Sequence, residues 1–366
     1  MWKNIDTCFY KLHKPISKYI LAFDFDDTLV KRNTDVPLEN VITFITNSIK
    51  NNYNIVIFSN QKGITKQKTT HTDVQNKMNN FEKKISKPVS FLYATSDGKY
   101  RKPNIGMYDL YKNIFKIDIK FIYYCGDAAG RNNDFSISDL YFANNIGIPF
   151  KTPEQIFKNK TPDIIANTKK KTLINSLYKY DNWINGVLYN KRDIVTIASN
   201  NDIQKIMSFN FDINQNYLIL MVGPQGSGKS TLSKMISNKF HFPIVSNDTA
   251  KKLFNKTPNA YFSDLVKKGV KSIIIDNTSP TYESRQKWMN KVKNWNTIIL
   301  FIDVNKDVSI HSINYRSFHS GQTLPMVCIH TYFKKLEKPT KKEGHIITFS
   351  GIIHNNSNYN HNLRFV

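Results

Sequence analysis

A chain of 366 residues with 52 Lys+Arg against 28 Asp+Glu, a formal net charge of +24, has room for two domains with separate cores and suits a polyanionic partner better than a neutral metabolite. Hydrophobic content of 40% excludes disorder over most of the chain, and no apolar run approaches the ~18 residues of a membrane span. The N-terminal MWKNIDTCFYKLHKPISK is broken by charges and reads as no signal peptide, and Cys8, Cys125 and Cys328 lack metal or redox spacing, so a soluble intracellular protein with reduced thiols is expected.

The first buried strand in chain order is YILAFDF (19–25), and it runs into three carboxylates, Asp24, Asp26 and Asp27. Ligands of open α/β sheets bind at the C-terminal ends of parallel strands. Residues two apart share one face of an extended segment, so Asp24 and Asp26 converge on one place. Their repulsion calls for a cation, and Mg²⁺ suits hard oxygen ligands and phosphate. Asp24 is then placed to attack phosphorus, and Asp26 to protonate the leaving oxygen. A helical pattern, ENVITFITNSIK (39–50), leads to the strand NIVIFSN (54–60), whose Ser59 and Asn60 offer a hydroxyl and an amide to phosphate oxygens. The helix VQNKMNNFEKKI (74–85) and the strand VSFLYAT (89–95) follow. RKPNIGMYD then supplies Lys102, a cation to balance phosphoryl charge, and the strand KFIYYCGD (120–127) ends on Asp127, a further carboxylate for the metal.

D-x-D-x-T with Thr28, then Ser59-Asn60, Lys102 and Asp127, in that order, resemble the haloacid dehalogenase-like phosphatases. The resemblance implies a Rossmannoid sheet, a covalent Asp24 nucleophile and Asp26 as acid/base. It also implies Mg²⁺ on Asp24, Asp26 and Asp127, with phosphate on Thr28, Ser59, Asn60 and Lys102. Such phosphatases select small substrates with cap domains inserted after the first or third strand. Between Thr28 and Ile55 there is room for a loop and one helix, and Gly63 to Arg101 reads as one helix, one strand and loops. Without a large cap the site should be open and admit the end of a polymer. Asp27 stands where many members carry Gly and is assigned no chemistry.

Residues 158–214 hold the run Lys169-Lys170-Lys171 and no catalytic pattern, and read as a linker with some helix. A second α/β half begins at YLILMVG (217–223) and continues through KSIIIDN (271–277) and NTIILFIDV (296–304). GPQGSGKST, Gly223 to Thr231, matches G-x-x-x-x-G-K-[ST] between a strand and a helix-like segment. Gly223, Gly226, Ser227 and Gly228 let backbone N–H groups wrap phosphates, Lys229 reaches the β/γ-phosphates, and Ser230 offers a hydroxyl to Mg²⁺, with Thr231 beside it. Nucleotide binding without transfer is the alternative. Asp248, after a short strand, suits the base that activates a hydroxyl acceptor, or else a helix N-cap, with Thr249 competing for that job. Asp276 at the end of KSIIID suits Mg²⁺ through water. Arg316 on a helix beyond NTIILFIDV is either a lid residue over the phosphates or a solvated surface arginine.

Taken with RKPNIGMYD, GDAAGRNNDFSISDLYFANNIGIPFKTPE and IIIDNTSPTYESR, the chain resembles the polynucleotide kinase/phosphatase family from about Ile20 to about Ile347. The expected fold is two mainly parallel α/β sheets flanked by helices: a 3′-phosphatase over 1–157, the linker over 158–214, and a P-loop 5′-kinase over 215–366. The resemblance implies ATP and Mg²⁺ as cofactors and DNA strand-break ends as substrate, with RNA ends as the alternative. No membrane is expected as partner, and a monomer is. No fork head-associated domain is expected to precede the phosphatase. Two positions depart from the family's pattern. Asn247 stands where an Arg usually precedes the kinase base, and Phe318 where a second lid Arg is common. Lys251, one turn beyond Asp248, would hold the acceptor's 3′-phosphate.

Overall fold

The computed structural model describes residues 1–116, 118–160, 175–178, 181–184, 186–189, 195–321, 323–354 and 363–365. They fall into two compact units: Met1–Arg192 with Asn314–Thr323 and Asn362–Val366, and Asp193–Ile313 with Leu324–His361.

In the first unit, β1 (Lys3–Ile5) and β2 (Cys8–Lys11) form a hairpin, followed by β3 (Tyr19–Phe23), α1 (Val41–Lys50), β4 (Asn54–Asn60), α2 (His71–Ile85) and β5 (Ser90–Ala94). Then come α3 (Gly106–Phe115), β6 (Lys120–Cys125), α4 (Ser138–Ile146), β7 (Phe150–Lys151) and α5 (Pro153–Phe157). The sheet order is β1-β2-β5-β4-β3-β6-β7, with β5 through β7 parallel and the hairpin added antiparallel at the β5 edge. β3, β4 and β5 are buried almost throughout, because helices cover both faces of a parallel sheet. Leu21, Phe23, Phe25, Ile57, Phe81 and Phe91 build the core on one face. Amphipathic α2 starts on a capping box, Thr70 and Asp73 each bonding the other's backbone, and buries Val74, Met78, Phe81 and Ile85. Only α1 lies between β3 and β4, and only α2, β5 and α3 lie between β4 and β6. As expected, among the described residues no cap domain is inserted at either point.

The hairpin β1–β2 was not foreseen, since strands of three and four residues carry no readable period. Within 158–214 lie α6 (Asn175–Tyr178) and a second hairpin, β8 (Asn182–Ile184) with β9 (Val187–Tyr189). The Lys169–Lys171 run is outside the described residues. Gly186 turns the second hairpin at φ +74°, where a Cβ would lie 2.3 Å from the Phe150 carbonyl oxygen.

The second unit opens with α7 (Asn200–Met207), β10 (Tyr217–Val222), α8 (Lys229–Phe240), β11 (Ile244–Val245), α9 (Asn247–Phe254) and α10 (Pro258–Lys267). β12 (Ser272–Ile275), α11 (Tyr282–Met289), β13 (Asn296–Asp303), α12 (Lys306–Ser320), α13 (Met326–Lys335) and β14 (His345–Ser350) follow, the part of α12 from Asn314 onward being counted with the first unit. The sheet, β11-β12-β10-β13-β14, is parallel throughout, and central β10 is buried along its whole length. Buried Arg285, the last residue of IIIDNTSPTYESR, pairs with buried Glu343 at 2.6 Å and donates to the carbonyls of Ser279 and Glu337. That arginine is structural, fixing the loop that follows Asp276. Among the described residues no helix is long and apolar enough to cross a membrane.

Candidate active sites

In the first unit the charged residues gather where β3 and β6 end. The backbone N–H of Asp24 donates to the Cys125 carbonyl at 2.8 Å, so the sheet itself positions this carboxylate. Lys102 reaches it from the loop before α3. Its Nζ donates to Asp24 Oδ1 at 2.6 Å, to Asp139 Oδ1 at 2.7 Å and to the Tyr124 hydroxyl at 2.7 Å. Asp139, in the first turn of α4, also accepts from the Ala128 N–H at 3.0 Å. Gly126 makes that approach possible, since a Cβ there would lie 2.5 Å from the Asp139 carboxyl. Ligand atoms of Asp24, Asp127 and Asp139 lie within 4.8 Å of one another. Thr28, fully buried, donates to Asp127 Oδ1 at 3.4 Å.

These carboxylates pay for their proximity in proton affinity. Burial pushes Asp24 up to about 7, with Asp139 and Asp26 adding to the rise and Lys102 opposing it. Burial pushes Asp127 up to about 9, and Asp24 and Asp139 add to it. Burial alone would lower Lys102, but Asp139 and Asp24 hold it above the ordinary lysine value. Asp139 has partners on both oxygens, whereas Asp24 shares Lys102 with it and Asp127 has the Arg32 guanidinium only at 3.8 Å, so Asp24 and Asp127 are the pair still short of positive charge. A hard divalent cation with oxygen ligands, such as Mg²⁺, fits that deficit.

The remaining phosphatase residues divide by what they touch. Both Asp26 oxygens face donors: Lys77 of α2 pairs with Oδ1, and Gln61 Nε2 donates to Oδ2 at 2.6 Å. Gln61 Nε2 also donates to the buried Ser59 hydroxyl at 2.9 Å. The Asn60 amide is committed to the Lys102 backbone, accepting from its N–H at 2.9 Å and donating to its carbonyl at 3.1 Å. It therefore positions Lys102. Asp27 sits at φ +56°, where its carboxylate accepts from the Arg32 N–H and pairs with the Arg32 guanidinium at 2.7 Å. Arg131 ties Asp134 and Glu154 together and donates to the Asp127 carbonyl, holding the metal-side loop. Sequence reasoning passed over Asp139, Gln61, Lys77 and Arg131. Gln61 adjoins a motif already read. Asp139 looks like any acidic residue in a helix's first turn, and nothing in α2 marks Lys77.

In the second unit the loop Gly223–Gly228 joins β10 to α8, as P-loop geometry requires. Gly226 and Gly228 take φ +78° and +92°, and a Cβ on Gly228 would lie 2.0 Å from the Ile353 carbonyl oxygen. The Ser227 hydroxyl and Lys229 Nζ both donate to the Pro224 carbonyl, at 2.8 and 2.7 Å. Ser230, on the exposed side of the first turn of α8, and Thr231 follow. Asp276 is half-buried directly after β12, its N–H bonded to the Val245 carbonyl at 3.0 Å. The cap offered to Asp248 or Thr249 falls instead to Ser246, which accepts from the Thr249 N–H. Asp248 is the second residue of α9, its side chain 85% exposed and 3.6 Å from Lys252. Lys251 and Arg316 are exposed, whereas Phe318 is buried.

A parallel sheet with paired carboxylates at its strand ends, followed by a parallel sheet with a strand–P-loop–helix, defines the class: a haloacid dehalogenase-like phosphatase joined to a P-loop kinase. Residues 19–157 match the family described as polynucleotide kinase 3 phosphatase, and residues 218–339 match an AAA domain family. The chain is 29% identical to a bifunctional polynucleotide phosphatase/kinase of Schizosaccharomyces pombe, covering 94% of this chain and 82% of that protein. It is 32% identical to the polynucleotide 3′-phosphatase ZDP of Arabidopsis thaliana over 38% of this chain and 24% of that one. It is 47% identical to a polynucleotide 3′-phosphatase of Saccharomyces cerevisiae over 16% of this chain and 29% of that one. The chain therefore carries a match to the polynucleotide kinase 3 phosphatase family followed by a match to an AAA domain family, and over nearly its whole length it is similar to a bifunctional polynucleotide phosphatase/kinase.

Proposed function

We propose that this protein repairs nucleic-acid ends, removing a 3′-phosphate at the first site and phosphorylating a 5′-hydroxyl with ATP at the second, so that DNA breaks become ligatable. The observation that carries the reading is the pairing, in one chain, of the uncapped Asp24–Lys102–Asp139 network with a P-loop. At the first site an Asp24 oxygen attacks phosphorus, the bond to the 3′-oxygen breaks, and Asp26 gives that oxygen its proton. Water then cleaves the aspartyl phosphate while Asp26 takes the proton back. Lys102, held by Asp139 and Tyr124, balances phosphoryl charge, and the Thr28 and Ser59 hydroxyls contact phosphate oxygens. At the second site Asp248 takes the proton of the 5′-hydroxyl as its oxygen attacks the γ-phosphorus of ATP. Lys229 and the loop N–H groups stabilise the transferred charge, and Arg316, exposed on α12, is the candidate lid residue.

Phosphatases and kinases of these two folds use Mg²⁺ and nucleotide generally; here Asp24 and Asp127, and separately Ser230 and Asp276, would hold Mg²⁺, which neutralises phosphate charge. A basic surface that grips phosphates carries little sequence information, as repair of arbitrary breaks requires. The domain assignment is a phosphatase over 1–157 and a kinase over 215–366. The test is a DNA duplex with one nick bearing a 3′-phosphate and a 5′-hydroxyl, incubated with the protein, Mg²⁺ and γ-labelled ATP. Phosphate release and label transfer in the same tube are expected. If neither occurs on DNA but both occur on the RNA counterpart, the substrate is RNA.

A further inference from the structure

Asp26 is held in a way that neither the motif nor the family pattern uses above. Its two carboxylate oxygens are met from opposite sides in sequence, by Lys77 in the middle of α2 and by Gln61 just past β4. An ionised carboxylate only accepts hydrogen bonds, so the Gln61 group facing it is the amide NH₂, and each oxygen keeps a second lone pair for the proton that Asp26 takes up and gives. That same nitrogen donates to the Ser59 hydroxyl oxygen, so the Ser59 O–H is turned away from Gln61. Lys77 is itself well anchored. Its side chain is only 16% exposed, and its ammonium lies 5.2 Å from the Phe25 ring centre, one residue from the group it pairs with. A lysine gripping substrate phosphodiesters would project into solvent instead. Charge-assisted bonds to both oxygens leave the Asp26 side chain little rotational freedom.

We propose that Lys77, acting with Gln61, is a positioning residue that aims the Asp26 carboxyl at the leaving 3′-oxygen. The inference rests on the 3′-phosphatase reading. Its distinctive consequence is dependence on the leaving group. A sugar 3′-oxygen departs as a poor leaving group and needs a proton delivered along a defined line, whereas p-nitrophenolate departs without one. Lys77→Met keeps an unbranched apolar side chain and removes the ammonium, and Lys77→Arg keeps the charge.

The experiment measures kcat and KM of wild type, Lys77→Met, Lys77→Arg and Asp26→Asn on a 3′-phosphorylated oligonucleotide and on p-nitrophenyl phosphate. Lys77→Met should lose about tenfold or more in oligonucleotide kcat beyond whatever it loses on p-nitrophenyl phosphate, with oligonucleotide KM little changed. Asp26→Asn should show the same asymmetry more strongly, and Lys77→Arg should recover part of the loss. Equal losses on both substrates would make Lys77 merely structural, and a loss confined to oligonucleotide KM would make it a nucleic-acid contact; either overturns the proposal. A wild-type protein inert on the 3′-phosphorylated oligonucleotide but active on p-nitrophenyl phosphate would instead overturn the 3′-phosphatase reading beneath it.

Discussion

The two candidate sites are built by different physics. In the first unit, side chains from four separate segments satisfy one another: Asp24, Lys102, Tyr124 and Asp139 form a buried charge network before any substrate is present. In the second, backbone does the organising, with Gly226 and Gly228 in left-handed conformations and Lys229 folded onto the Pro224 carbonyl, while Asp248 stands in solvent. A carboxylate site must settle mutual repulsion in order to fold, so its chemistry is pre-assembled. A phosphate cradle made of N–H dipoles has no such conflict, and Asp248, the proposed base, can stay exposed beside it.

The sharpest way to break this comparison is to disable each site alone. Asp24→Asn should lower 3′-phosphate release on the order of 10³-fold or more while label transfer to 5′-hydroxyls continues. Lys229→Ala should do the reverse, with a kinase loss on the order of 10²-fold or more. Loss of both activities from either change, in protein with unchanged circular dichroism, would show one shared site. Asp248→Asn comes next: removing a general base should cost about 10²-fold in kinase kcat, and because the side chain is exposed, thermal stability should stay as it is. Asp139→Ala should behave oppositely. It leaves buried Lys102 with one carboxylate fewer, so denaturant unfolding should show a loss of about 3–5 kcal/mol in the first unit, accompanied by lost phosphatase activity. Gly228→Ala tests the backbone design, since φ +92° alone costs a side chain about 1–3 kcal/mol before the clash with Ile353, and the loss should appear in the kinase only.

The same contrast governs how much could be read from the sequence. Parallel strands are buried on both faces, so β3, β4, β10 and β13 announce themselves as continuous apolar runs, and the P-loop is contiguous along the chain. The carboxylate site is legible only at its strand-end motifs. Asp139 and Lys77 join it through tertiary contact from ordinary helices, where an acidic residue in a first turn and a lysine on a polar face have commonplace explanations. Asn60 shows the converse: its motif position was readable, but its bonds to the Lys102 backbone, which make it a positioning group, were not. The edge strands β1, β7 and β11, two or three residues each, draw their definition from pairing partners.

The smallest effect concerns metal and pH, and it bears directly on the pre-assembled site. Asp24 and Asp127 have folded-state values near 7 and 9 in the metal-free protein, both above the ordinary aspartate value. A group raised in this way lends its full stability only below its unfolded pKa and loses it as pH climbs through the folded value. The metal-free first unit should therefore weaken steadily as pH rises from about 4 toward 9. Mg²⁺ needs the ionised carboxylates and cancels the repulsion that raised them, so its stabilising effect should grow over the same window. Differential scanning fluorimetry with Mg²⁺ or with a chelator should show a larger Mg²⁺-dependent rise in Tm at pH 8.5 than at pH 6, by a few degrees. Asp24→Asn should abolish most of that difference, because it removes one of the two charges the cation compensates. A Mg²⁺ effect equal at both pH values would mean that the cation binds elsewhere, and that Lys102 alone holds the network together.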